Sequence, residues 1–412
     1  MLVSPSPSPR ICGILRARKR TQSIFSNMSL PRFEIDGKIL DSLDLKVSLL
    51  GQGVYVHDAV YETFEKTHRL SRHFRSCNTM FLGDNVPVYI ARTGEDARFH
   101  LVVSEGKLIL THDGNFVTDV SLPEKTAFFA QKTASGIPFG ELAVIQGLDM
   151  LAFSYLWPCE LAKSANQCRF CHCGNFTSQM VQAKTWQDFA FSAQDIAEVV
   201  RFAVDEDPKA KVLQMTAGST FRPDAEIERY AEILQEIERQ VGLAKVGGGI
   251  LFLTPPSDPT RLDRLFDCGI GRTAFDMDIW DAALFEQYCP GKAKYTTRKQ
   301  HLDALLYVAE KFGPNRACSV FVAGLEPVES LIEGCTFLAE HGVVPLPSPW
   351  MPFGVNNPEL PKTPGVDYYR TLRKEIAKLY TKHGLEAPGT VGSSVCLSRD
   401  IWLRRDFLAE KN

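Results

Sequence analysis

From residue 148 onward, short apolar runs alternate with amphipathic stretches. Strand-like runs fall at 150–157, 212–217, 250–253, 273–279, 317–323 and 343–347. Helical patterning occupies 193–204, 225–240, 259–266, 299–312 and 328–341, and returns after the last strand at 368–383. Six strands each followed by a helix predict an α/β fold with a parallel sheet. Right-handed crossovers curl such a sheet into a partial (β/α)6 TIM-like barrel. In that architecture the chemistry sits in the loops that leave the C-terminal ends of the strands.

The pattern upstream is different. Residues 28–147 read as a mixed, β-containing α+β module, with strand candidates at 99–103, 107–110 and 115–118. Ser104-Glu105-Gly106 and His112-Asp113-Gly114 separate them as hairpin turns. Residues 1–27 read as a disordered basic tail: Ser-Pro repeats cannot hold a ladder of backbone hydrogen bonds, and no acidic residue precedes Glu34. A solvated tail, an organelle transit peptide, and a start codon upstream of a true beginning at Met28 all fit that composition. No secretory signal is present, and a cytoplasmic location is the expectation. We place the barrel at 148–355, and a C-terminal helix and tail packing on it at 356–412.

Composition narrows the function classes. The 412 residues are 44% hydrophobic and 23% charged, with 46 Lys and Arg against 49 Asp and Glu. A net charge of −3 gives no electrostatic footprint for nucleic acid or for a membrane surface. No apolar run reaches the roughly 18 residues of a membrane span.

Cysteine is what stands out. There are 11, an odd number in a chain too long for a disulfide-stapled miniprotein. Cys159, Cys168, Cys171 and Cys173 fall within 15 residues, just after the first barrel strand. Thiolates at such spacings select zinc or an iron–sulfur cluster over hard cations. Three readings fit: a closed structural zinc site, a redox pair at Cys168 and Cys171, or a cluster held by three cysteines with one iron open. Cys268, Cys289, Cys318 and Cys335 fit either an auxiliary cluster or core packing; their isolation in apolar or helical contexts favours core for most, with Cys318, on a barrel strand, the exception. Gly247-Gly248-Gly249 lacks the spacing of a nucleotide fingerprint and reads as a flexible turn.

The block Cys159…Cys168-Arg169-Phe170-Cys171 after a first barrel strand resembles the radical S-adenosylmethionine (SAM) superfamily. The resemblance covers about residues 145–355 and implies a [4Fe–4S] cluster on Cys159, Cys168 and Cys171, with Phe170 beside the adenine of SAM. Here the first gap is eight residues where the family has three, which leaves Cys173 as a substitute for Cys159. The resemblance further implies that the turn at Thr216, Gly218 and Ser219 binds the amino group of SAM. Asp276 and Asp278, on one face of the fourth strand by period-2 alternation, would meet its ribose or amino-acid part. Gly324, Glu326, Trp350 and Met351 would lie near the adenine. Glu326 reads equally as a first-turn acid at a helix N-terminus. A narrower likeness, to a biotin-synthase-like group and to poorly characterised radical SAM proteins associated with nitrilase genes, rests on Gly136-Ile137-Pro138-Phe139, Gln146-Gly147-Leu148-Asp149-Met150-Leu151-Ala152 and Cys289-Pro290-Gly291-Lys292-Ala293.

The implied partners are a small-molecule substrate and an electron donor such as flavodoxin or ferredoxin. The alternative from another class is a zinc-stabilised barrel that binds a ligand or partner without redox chemistry.

Overall fold

The computed structural model describes residues 30–72, 78–83, 85–154, 156–172, 191–353, 357–389 and 393–410. The tail at 1–27, Cys77 and Cys173 lie outside them.

The front module opens with an antiparallel hairpin of β1 (Arg32–Ile35) and β2 (Lys38–Asp41), which feeds α1 (Ser42–Gln52). Asp41 and Asp44 start that helix as a capping box, each carboxylate accepting a backbone N–H of the other residue. Next come β3 (Tyr55–Val56), a small hairpin of β4 (Thr79–Phe81) and β5 (Pro87–Tyr89), then β6 (Phe99–Ser104), β7 (Lys107–His112) and β8 (Asn115–Asp119). The last three form a meander, and β3 adds parallel to β6. Both meander turns, Glu105-Gly106 and Asp113-Gly114, hold two successive residues at positive φ, the geometry that matches strand twist in tight hairpins.

The barrel sheet has seven strands in the order β15-β14-β13-β12-β11-β10-β9. Six are parallel: β10 (Met150–Phe153), β11 (Val212–Thr216), β12 (Ile250–Phe252), β13 (Arg272–Ala274), β14 (Ala317–Ala323) and β15 (Val344–Pro349). The seventh, β9 (Val144–Gln146), pairs antiparallel with β10 and comes from residues that the sequence assigned to the front module. β9 and β15 are the two ends of the strand order, so this is an open, partial (β/α)6 barrel.

Helices α2 (Ala193–Asp205), α3 (Pro223–Gln240), α4 (Asp263–Asp267), α5 (Ala282–Tyr288), α6 (Pro290–Tyr295), α7 (Arg298–Phe312), α8 (Val328–Glu340) and α9 (Val366–His383) follow the strands. α3 shows why these segments are helical. Proline opens it, Asp224 and Glu226 sit in its first turn and Arg239 in its last, and Ile227, Tyr230, Ala231, Leu234 and Ile237 form its buried stripe. One continuous apolar core contains Leu43 and Leu45 of α1, Phe99 and Leu101 of β6, and the barrel residues Leu213, Leu251 and Phe321. The front module and the barrel therefore bury one another. No helix among the described residues is long and apolar enough to cross a membrane.

One strand is shorter than its pattern suggested. The run 273–279 leaves the ladder after Ala274 and rejoins it only at a single bridge between Asp278 and Phe321. Asp278 has φ 58°, a left-handed conformation that breaks period-2 alternation.

Candidate functional site

Parallel strands send all six following loops to one end of the sheet, and the candidate residues collect there. Cys159 caps the short helix Glu160–Lys163, its carbonyl accepting the Ala162 and Lys163 N–H groups at 3.1 Å. Glu160 ties this turn to the loop after β11. Its N–H donates to Ser219 O at 2.8 Å, and its carboxylate accepts from Thr220 Oγ1 at 2.6 Å and from Arg222 Nη2 at 3.2 Å.

Gly218 is where the two loops touch. Its N–H donates to Trp157 O at 2.9 Å, and a β-carbon there would lie 2.2 Å from Cys159 N and 2.3 Å from its Cα. The 216–219 turn thus braces the cysteine loop, and Thr216 Oγ1 is engaged with Phe153 O at 3.3 Å. Gly218→Ala is expected to push this loop outward and cost about 1–3 kcal/mol. Thermal midpoint and iron uptake should both fall. A wild-type midpoint with full iron loading would show that the two loops can move apart freely.

Burial pushes the Cys159 thiol up to about 11, and Cys171 and Cys168 push it the same way, although the three sulfurs do not all lie within 4.8 Å of one another. Cys168 is buried, and the Cys171 N–H donates to its carbonyl at 3.1 Å. Three soft sulfur donors in one loop suit a thiophilic cation, which would hold them deprotonated. The donor set therefore fits an iron–sulfur cluster.

A second group faces the cysteine loop. The ligand atoms of Cys168, Cys289 and Asp278 all lie within 4.8 Å of one another, and Cys289 raises the Cys168 thiol well above the usual range. Lys292 ion-pairs with Asp278, and its Nζ donates to Asp276 O at 2.8 Å. Burial opposes charge on Lys292, but Asp278 overrides it and holds the ammonium above the usual lysine range. Burial, reinforced by Asp278, pushes Asp276 up to about 7, while the Val320 N–H donates to its Oδ1 at 3.1 Å. The two aspartates thus meet at Lys292 by way of a left-handed turn, not on one face of a strand.

The 288–292 run is docked firmly on the cysteine loop. The Arg169 N–H donates to Tyr288 O at 2.8 Å, and a β-carbon on Gly291 would fall 2.2 Å from Asn166 O. Cys289, assigned to core by its isolation in sequence, is buried but belongs to the site. Its run stood out in the sequence only through a family likeness.

Phe170 packs in a small apolar cluster with Ile279, Phe285, Tyr288, Leu325 and Trp350. The Trp350 indole donates to Pro361 O at 3.1 Å, and Met351 O accepts from His172 Nε2 at 3.1 Å. Gly324 lies against Pro364 and Trp350. Glu326 lies just before α8, outside its first turn. Its Oε1 accepts the Trp280 N–H at 2.8 Å, and its Oε2 accepts the Asp281 N–H at 2.9 Å and Ser330 Oγ at 2.7 Å. It fastens the loop after β13, and both oxygens are occupied in doing so. Cys268, Cys318, Cys335 and Cys396 join no group of three or more candidate ligands among the described residues.

No protein-family model matches the chain. It is 23% identical over 356 residues to the bacteriochlorophyllide c C-7(1)-hydroxylase of Chlorobaculum limnaeum, covering 83% of this chain and 85% of the relative. Among solved structures, HydG, a maturase of the [FeFe]-hydrogenase, overlaps with a TM-score of 0.43 at 14% identity, over 62% of this chain and 59% of that one. A radical SAM methyltransferase from Sphaerobacter thermophilus overlaps with a TM-score of 0.40 at 14% identity, over 73% and 80%.

Proposed function

We infer that the chain is a radical SAM enzyme, whose cysteine loop binds a [4Fe–4S] cluster through Cys159, Cys168 and Cys171. The observation that carries this reading is the placement of Cys159, Cys168 and Cys171 in the loop that follows the first parallel strand of an open (β/α)6 barrel, with Cys168 buried. Cluster and SAM supply reductive cleavage of a carbon–sulfur bond and abstraction of a hydrogen atom from an organic substrate, with the electron coming from a reduced flavodoxin or ferredoxin. The relative's activity, hydroxylation at a named carbon, belongs to the same broad class of carbon–hydrogen functionalisation. It supports a small organic substrate here without naming one.

The protein's own contribution is placement and exclusion of water. Glu160 and Gly218 hold the cysteine loop against the loop after β11. Phe170, Ile279, Leu325 and Trp350 give the site an apolar floor that sheds water. Lys292 supplies a buried positive charge that offsets the negative charge of thiolates and carboxylates beside it.

The test is to reconstitute the full chain without oxygen, add SAM and a strong reductant, and assay 5′-deoxyadenosine. A brown protein with about four irons per chain and formation of that product are the expected result. A fully loaded cluster that yields no product would sink the reading. A protein that keeps stoichiometric zinc and takes up no iron under the same reconstitution would instead favour the zinc-stabilised barrel.

A further inference from the structure

Two thiols and a carboxylate that come from three separate segments of the chain have been brought together inside the protein. Cys168 belongs to the cysteine loop, Asp278 to the left-handed turn after β13, and Cys289 to the junction of α5 and α6. All three are buried, and their ligand atoms lie mutually within 4.8 Å. A tetrahedral zinc centre with metal–sulfur bonds of about 2.3 Å sets its ligands about 3.7 Å apart. Small side-chain movements therefore close this trio around an ion.

We propose that Cys168, Cys289 and Asp278 form a mononuclear site for a thiophilic divalent ion such as Zn²⁺ or Fe²⁺, distinct from the three-cysteine cluster site and mutually exclusive with it because both need Cys168. Two soft sulfurs with one carboxylate select such ions over Mg²⁺ and Ca²⁺. Charge supports the assignment as well as geometry. Two thiolates and one carboxylate carry −3, and a divalent ion with the Lys292 ammonium carries +3, so the buried group is neutral overall. Lys292 keeps its contact with Asp276 O when Asp278 turns to the ion. Binding forms two metal–sulfur bonds and one metal–oxygen bond and releases the two thiol protons to solvent, with water completing the coordination.

Rigidity comes from the docking of the 288–292 run on the cysteine loop through Tyr288 O and Gly291. Among the described residues, the other cluster of metal-capable side chains, Asp36, His112 and Asp113, differs on each count. Its carboxylates are exposed, it has no thiol, and Arg98 already pairs with both acids. The functional consequence is a chain that holds one metal ion while it lacks a cluster and gives up Cys168 when the cluster is built. The ion site stands without the radical SAM reading, and only its exclusion by the cluster rests on that reading.

The test titrates cluster-free, full-length protein with Co²⁺ under anaerobic conditions and follows sulfur-to-cobalt charge transfer in the near ultraviolet. One ion per chain is expected, with binding weakened at least about tenfold in Cys289→Ser and in Asp278→Asn, and unchanged in Cys159→Ser and Cys171→Ser. Iron–sulfur reconstitution of Cys289→Ser should still reach about four irons per chain. X-ray absorption on the zinc-loaded wild-type protein needs no variant to fold, and should give two sulfur and two oxygen ligands. Absence of the charge-transfer band, its retention in Cys289→Ser with loss in Cys159→Ser, or a shell of three or four sulfurs would overturn the proposal. Loss of the cluster from Cys289→Ser would also overturn it, making Cys289 a cluster ligand.

Discussion

Cys168→Ala is expected to leave the protein colourless after anaerobic reconstitution, with iron falling from about four per chain to background and 5′-deoxyadenosine formation falling at least about 1,000-fold. Cys168 is the most enclosed thiol of the loop, with its carbonyl held by the Cys171 N–H and its sulfur against Cys289. Alanine removes that sulfur and keeps the backbone contacts, so the loop should stay folded while the donor set is broken. Cys318→Ala is the control, because that thiol is fully buried on β14 away from the loop. It should keep its iron and lose only stability, by about 1 kcal/mol for the small cavity. Iron and absorbance, read beside the circular dichroism of both variants, separate loss of ligand from loss of fold. Full iron in Cys168→Ala would mean that other thiols hold the cluster, and the assignment would fall. Cys173→Ala is expected to retain its iron.

Much of the barrel was legible because its strands are buried on both faces. Such strands read as short unbroken apolar runs, and β14 shows this most clearly, with Cys318, Phe321 and Ala323 all buried. The intervening helices announce themselves through caps and a 3.6-residue stripe, as α3 does. What sequence pattern could not convey was long-range geometry. Alternation carried a strand through Asp278, but a non-glycine residue at φ 58° is set by tertiary contacts, here the bridge to Phe321 and the pair with Lys292. The cysteine spacing located the loop, yet said nothing of Cys289, which reaches Cys168 because the 288–292 run docks on the cysteine loop. A sequence likewise does not reveal that Glu326 accepts the Trp280 and Asp281 N–H groups and so fastens the loop after β13.

Lys46→Ala is expected to be the most destabilising single change outside the site, costing about 3–5 kcal/mol. Lys46 on α1 is 0% exposed, and its ammonium lies 2.6 Å from Asp400, itself 1% exposed. Two carbonyls complete its shell, Ser393 O at 2.7 Å and Cys396 O at 3.1 Å, so three acceptors serve three protons. Removing the lysine strands a carboxylate in the interior, where the remaining Arg404 guanidinium is 3.7 Å away. The damage should spread to the barrel, since the 395–397 segment is sewn to β15. The Leu397 N–H donates to Pro347 O at 3.0 Å and Ser348 Oγ to Val395 O at 3.3 Å. Thermal and urea unfolding of Lys46→Ala measure the cost, and the double variant Lys46→Met with Asp400→Leu decides its origin. If the penalty is the uncompensated charge, the double variant should recover most of it, because apolar residues of similar volume replace a buried pair with little loss. If instead both variants fall equally, the contribution lies in the ammonium's contacts with the two carbonyls. In that case α1 holds the C-terminal segment by hydrogen bonds and not by charge.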